Sequence, residues 1–246
     1  MLFFLLAAAM VAGYLDTLAG GGGLISTPAL LVSGMPPLIV FGTDRLQGCF
    51  GTGFASLLLF RRQKIRWTDL RAPMAWAFLG AAAGSVMVQF ISTDVLRHCI
   101  PLALGVIAAY FLLAPNVHKI RRPVRMGVAL YDRMVLPLIG WYDGVLGPGT
   151  GSFIVFSRTW LRGRILVEAT AEAKPLNFAT NLGSFVVFLF YGEINWLVGL
   201  LMLSGQMVGA WFGTRSLYRI NPAYIRLLVV LMAGGMLVKY SLKYFQ

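Results

Sequence analysis

The 246-residue chain has little of what soluble enzymes and metalloproteins rely on. Charged side chains make up 12% of it, with nine acids against 21 bases, and it holds two histidines and two cysteines. Cys49 and Cys99 fall in different apolar segments without metal-ligand spacing, which argues against a disulfide framework or a zinc site. No His pair, metal motif or nucleophile–base pair is present, so the expectation is neither an enzyme nor a cofactor protein. No polar stretch is long enough to form a separate soluble domain, and an ATP-driven machine would have to find one in this chain or a partner. The glycine-rich runs lack the following Lys-Ser/Thr of a nucleotide P-loop. The opening MLFFLLAAAMVAGYL lacks a basic leader and a small-residue cleavage site, and it reads as a first membrane segment rather than a removable signal.

Apolar residues are what the chain has in excess, at 58%, with a mean hydropathy of +0.76. This predicts an all-α, polytopic helical membrane protein whose spans approach the roughly 20 residues needed to cross a bilayer. Hydropathy and breakers place segments at Leu2–Ala19, Leu24–Val32, Leu38–Phe60, Leu70–Ile91 and Val95–Ala114. A second set follows at Met134–Leu146, Gly151–Trp160, Ile165–Tyr191, Ile194–Leu217 and Tyr224–Lys243. Leu24–Val32 is too short to stand upright in a bilayer, so it reads as half of a broken or re-entrant helix.

The two sets repeat one another. An offset of 129 positions carries Arg45 onto Lys174, Trp67 onto Trp196, Gly80 onto Gly209, Gly84 onto Gly213 and Gly105 onto Gly234. Across the glycine-rich breaks the offset is 127, which carries Gly13, Asp16 and Gly20 onto Gly140, Asp143 and Gly147. Expected units are therefore a first repeat at 1–115, a basic linker at 116–133 and a second repeat at 134–246, forming one membrane domain.

The formal charge of +12 could suggest nucleic acid, but its distribution fits the positive-inside bias. Arg61, Arg62, Lys64, Arg66 and Arg71 crowd one break, whereas its repeat counterpart carries only Glu193; Arg158, Arg162, Arg164, Arg215 and Arg219 have no basic mates in the first copy. The linker adds Lys119, Arg121, Arg122, Arg125 and Arg133. Placing these loops in the cytoplasm gives two inverted-topology repeats, each a broken or re-entrant helix pair followed by three crossings. Both termini are then outside the inner (plasma) membrane, with Arg97, Lys239 and Lys243 on the outer side. The expected partners are the bilayer and a small anion, not nucleic acid; homo-oligomerisation is left open.

Within this frame the polar residues sort into a candidate site. Asp44 and Arg45 form a charge pair in an apolar run, where ionisable groups face a cavity or a partner. Gly21, Gly22 and Gly23 open one short helix and Gly149, Thr150, Gly151 and Ser152 open the other, offering backbone N–H groups and hydroxyls to an anion. Such glycines also let helices pack closely, and the two roles are compatible. Arg45, Cys49, Thr52 and Ser56 share one helical face, as do Thr170, Lys174, Asn177 and Asn181. Arg45 and Lys174 together suit an oxyanion, unless they pair instead with nearby acids, Lys174 with Glu168 or Glu172. Gln47, Gln206 and Tyr142 are weaker cavity candidates, and Cys49 is either packing or path lining. Asp16 and Asp143 could carry protons, or brace the breaks by accepting N–H groups or pairing with Arg45 and Lys174. Trp67 and Trp196 suit the membrane interface.

The stretches Asp16-x-x-x-Gly20-Gly-Gly-Gly23 with Pro28, and Gly42-Thr43-Asp44-Arg45-Leu46-Gln47, resemble the TauE/SafE family of sulfite exporters and sulfonate uptake permeases. So do Tyr142-Asp143-Gly144-x-x-Gly147-Pro148-x-x-Gly151-Ser152 and Ala169-Thr170-Ala171-x-Ala173-Lys174-x-x-Asn177-x-x-x-Asn181. The likeness spans nearly the whole chain and points to the bacterial "probable membrane transporter" branch. It implies a multi-pass inner-membrane carrier of small sulfur-containing anions such as sulfite, sulfoacetate or other organosulfonates. Two departures flank the site: Asp44-Arg45 stands where the family more usually has Asn-Lys, and Pro175 where an aliphatic residue follows the lysine. The residues also admit a passive anion channel, or a cation-coupled transporter using Asp16 and Asp143.

Overall fold

The computed structural model describes residues 1–62, 65–96 and 123–217, with positions 99, 102 and 105. The expected spans Val95–Ala114 and Tyr224–Lys243 fall largely or wholly outside these, as do Arg97, Lys119, Arg121, Arg122, Lys239 and Lys243. Among the described residues all regular structure is helical.

Helix α1 is Leu2–Ala19, α2 Gly23–Val32, α3 Pro37–Arg61 and α4 Trp67–Val88. After a single turn at Val128–Leu130 and a π-helical turn at Tyr131–Val135 come α5, Leu136–Val145; α6, Thr150–Arg162; α7, Leu166–Tyr191; and α8, Trp196–Ser216. At 1.5 Å per residue, the 21 to 26 residues of α3, α4, α7 and α8 give lengths of roughly 32 to 39 Å, enough for the roughly 30 Å hydrocarbon layer. By length and apolarity together, α1 and α8 are the two among the described residues that qualify as spans. In α3 and α7 the apolar pattern is interrupted by a buried polar stripe that includes Arg45, Thr52, Lys174 and Asn177.

Large apolar side chains face outward, and ionisable and polar groups are set within a core that is otherwise apolar. Phe3, Phe190, Leu138 and Leu197 stand exposed, while Lys174 and Gln47 are wholly buried and Arg45 nearly so. Water would penalise that arrangement and lipid favours it, since hydrocarbon accepts the apolar rim and drives ionisable groups to a shared interior. Trp67 and Trp196 are about half exposed at the starts of α4 and α8.

Helix pairing follows the repeat. Helix α1 packs on α8 and α5 on α4; α3 packs on α8 and α7 on α4; and α3 and α7 meet each other. Glycine makes the first two crossings close: a methyl on Gly209 or Gly213 of α8 would strike the Met10 or Tyr14 carbonyl of α1. A methyl on Gly80 or Gly84 of α4 would strike the Pro137 or Trp141 carbonyl of α5 in the same way. The offsets found in the sequence carry each member of one crossing onto its counterpart in the other.

Several boundaries differ from expectation, four of them instructively. The helical segment expected to start at Met134 starts at Val128, with Asp132 and Arg133 inside the π-helical turn. Helix α4 begins at Trp67 rather than Leu70, with Asp69 in its first turn, where a carboxylate favours the exposed N–H end. It ends at Val88 rather than Ile91, in a turn closed by Phe90 and Ile91 N–H bonds to the Met87 and Val88 carbonyls. Helix α6 runs to Arg162 and stops at Gly163, whose φ of 66° lies in the left-handed region that glycine enters freely.

Candidate functional site

The site is built where two chain breaks touch. Helix α1 ends at Gly20, φ 77°, and α5 runs out before Gly147, φ 95°. A side chain on Gly20 would occupy the space held by the Gly151 backbone, and one on Gly151 would meet Gly20. The Ser152 hydroxyl crosses the seam to donate to the Ala19 carbonyl at 2.6 Å. The two breaks are thus in direct backbone contact, and their helices α2 and α6 start beside one cavity. First-turn N–H groups lack intrahelical partners, and these two starts are represented at the cavity wall by Gly23 and by Thr150 and Gly151.

Each break is cross-linked to the long helix of the other half. Arg45 on α3 donates through one terminal nitrogen to the Asp143 carboxylate at 2.7 Å and through the other to the Asp143 carbonyl. Lys174 on α7 donates to the Asp16 carbonyl and lies 3.4 Å from the Asp16 carboxylate. The arrangement is reciprocal. The Asp16 carboxylate also accepts the Gly22 N–H at 3.3 Å, and the Asp143 carboxylate the Thr150 hydroxyl at 2.7 Å. Each aspartate therefore closes its own break while gripping a cation from the opposite half. Asn181 adds a weaker contact to Arg45 at 3.4 Å. The Arg45 Nε remains buried without a hydrogen-bond partner.

The cavity measures about 30 Å³, room for a very few water molecules. Its wall includes Arg45, Asp16, Asp143, Asp44, Asn177 and Asn181, with Gln206 from α8. Gln206 presents a buried side-chain oxygen with no partner. Asp44 accepts from the Thr27 hydroxyl at 3.0 Å and from the Gln47 amide at 2.6 Å. Pro175, directly after Lys174, withholds the N–H that the Ala171 carbonyl would otherwise receive, leaving a softened point in α7 beside the ion pair.

Residues 5–240 match the family described as Sulfite exporter TauE/SafE. The chain belongs to the TauE/SafE family. Similar proteins include the probable membrane transporter protein ORF9 of a Sinorhizobium species, 41% identical over 97% of this chain and 92% of its own. A probable membrane transporter protein of Haemophilus influenzae is 38% identical, over 97% of this chain and 94% of that one. Escherichia coli YfcA, also named a probable membrane transporter, is 36% identical over 97% and 88%. No solved structure matches the chain. This TauE/SafE protein is accordingly a helical membrane protein of a transporter family.

Of the residues singled out in the sequence, the structure gathers Arg45, Thr52, Gly23, Gly149, Thr150, Gly151, Asn177, Asn181, Gln206, Asp16 and Asp143 at the cavity. Others fall beside it. Lys174 is fully buried and spends its ammonium on Asp16; Ser152 holds the seam; the Gly22 N–H is taken by Asp16 and the Gly21 carbonyl by Leu24. Gln47 turns to Asp44, and Cys49 is buried away from the cavity wall. On α3 the lining residues are Arg45, Gly48 and Thr52, so the face runs through Gly48 and not Cys49. Glu172 binds Arg158 at 3.4 Å and Arg164 at 2.9 Å rather than Lys174. Gly20, Ser26, Asp44, Gly48 and Gly147 complete the wall without having been assigned to it. Among them Gly20 and Gly147 carried a signal as offset mates at the glycine-rich breaks, and Asp44 as an acid in an apolar run.

Proposed function

We propose that this protein is a secondary transporter of small anions, sulfur-containing oxyanions or organosulfonates such as sulfite and sulfoacetate, in the inner membrane. In this reading two inverted repeats, 1–115 and 134–246, joined by a basic cytoplasmic linker, alternate access to a site between them, with both termini outside. The observation that carries it is the Arg45 guanidinium. It is buried at a cavity reached by two helix starts, and its Nε is unspent. A planar guanidinium with first-turn N–H groups and the Asn177 and Asn181 amides suits an oxyanion. The paired helix crossings and the reciprocal Arg45–Asp143 and Lys174–Asp16 pairs support an inverted duplication, since each contact has a partner under the sequence offset. The name of the matched family supports a sulfur-containing substrate.

Exchange of sulfite and of methanesulfonate by purified protein in liposomes tests the reading. Arg45→Gln is expected to abolish exchange by the monodisperse protein recovered after extraction, and exchange that survives the substitution would overturn the site. A passive channel would instead conduct far beyond carrier turnover in a planar bilayer.

A further inference from the structure

Charge at the cavity does not balance. Arg45 and Lys174 are each matched by an aspartate, Asp143 and Asp16, and these four groups cancel. Asp44 is a fifth. It forms no ion pair among the described residues; its carboxylate is held by neutral donors, the Thr27 hydroxyl and the Gln47 amide, and it reaches the cavity wall. The repeat offset places Ala173 opposite it, so the second half supplies no compensating group. With every acid ionised the site bears a net single negative charge, and an incoming anion meets repulsion in a medium that screens it poorly.

We infer that Asp44 is the proton-carrying group of a proton–anion symport: one proton on its carboxylate brings the site to neutrality and admits the anion, and its loss expels it. The inference rests on the anion-transport reading above. Among the described residues, the charged groups at the cavity wall with Asp44 are its neighbour Arg45 on α3, Asp16 on α1 and Asp143 on α5, and Lys174 on α7 lies behind Asp16; the adjoining α2 presents Ser26 and Thr27, and α8 the uncharged Gln206. The four charged groups other than Asp44 are mutually committed, which leaves Asp44 as the carboxylate whose protonation breaks no salt bridge. By linkage, one proton taken up per anion means that affinity falls about tenfold for each pH unit once Asp44 is ionised.

The test uses the full-length protein in proteoliposomes with radiolabelled methanesulfonate, whose own charge is constant across the range. The expected result is accumulation above the equilibrium level when the exterior is acidified, and none when a sodium gradient replaces the proton gradient. In Asp44→Asn, accumulation should disappear and the pH dependence of residual exchange should flatten, and Asp44→Glu should restore both. Wild-type exchange indifferent to the proton gradient, accumulation driven by sodium, or proton-driven accumulation persisting in Asp44→Asn would each overturn the inference and leave the anion reading standing. Absence of methanesulfonate and sulfite exchange in the wild type would remove both.

Discussion

Arg45 and Asp143, 98 residues apart in sequence, are joined at 2.7 Å with less than a twentieth of either side chain exposed. Neither could be buried alone, because an unpaired charge in a low-dielectric interior costs several kcal/mol. Arg45→Gln and Asp143→Asn are each expected to destabilise the detergent-solubilised protein by about 3 to 5 kcal/mol. The double substitution should cost less than the two summed, as a double-mutant cycle on thermal or chemical unfolding would show.

Gly20 and Gly192 separate backbone strain from crowding. Both have left-handed φ, 77° and 73°, but Gly20 abuts Gly151 whereas the space around Gly192 is open. Gly192→Ala should cost about 1 to 2 kcal/mol from conformation alone. Gly20→Ala adds a backbone collision and is expected to lose folded protein outright, read as the monodisperse fraction after extraction.

Glu172 links Arg158, which is buried, to Arg164, which is nearly half exposed. Glu172→Gln should therefore destabilise by about 1.5 to 3 kcal/mol, because the buried Arg158 loses its ion-pair partner and keeps the Tyr131 ring face and the nearby Asp132. Arg164→Gln, removing the exposed partner, should cost about 1 kcal/mol or less. Equal losses from the two in unfolding measurements would contradict this division.

Glu193, in the loop between α7 and α8, has its carboxyl pushed above the ordinary 4.5 by burial, against a lowering hydrogen bond from Gln89. The folded state thus holds a proton that the unfolded chain releases, and stability declines as pH rises from about 4.5 through the folded value. Glu193→Gln should melt at a higher temperature than the parent at pH 7.5, with the gap closing below pH 4.5.

Much of this architecture is legible in the sequence because periodicity and breakers act locally. Leu2–Ala19 comes out at its observed bounds since Gly20 both ends the apolar run and adopts the backbone that terminates the helix. The repeat offset names Asp16 with Asp143 and Arg45 with Lys174 as mates, and pairing of these acids with these cations is among the alternatives the sequence leaves open. That each aspartate reaches across to the other half is a tertiary fact no local pattern encodes. Helical phase is ambiguous in the same way: positions 48 and 49 both lie within a turn of Arg45, and Gly48 offers no side chain to mark it as cavity lining. The start at Val128 is hidden because Asp132 and Arg133 look like loop residues, whereas Asp132 is buried with Arg158 close by. The Tyr131 hydroxyl bonds Ser157 at 2.7 Å, and the Arg158 guanidinium lies 5.0 Å from the Tyr131 ring.

The seam between Gly20 and Gly151, pinned by Ser152 on Ala19, has no slack. A rotation of the α1–α2 corner must carry the α5–α6 corner with it, so the two corners travel as one hub. In the proposed alternation of access, the rocking would be displaced outward, to the crossings where the bare glycine backbones of α8 and α4 lie against α1 and α5.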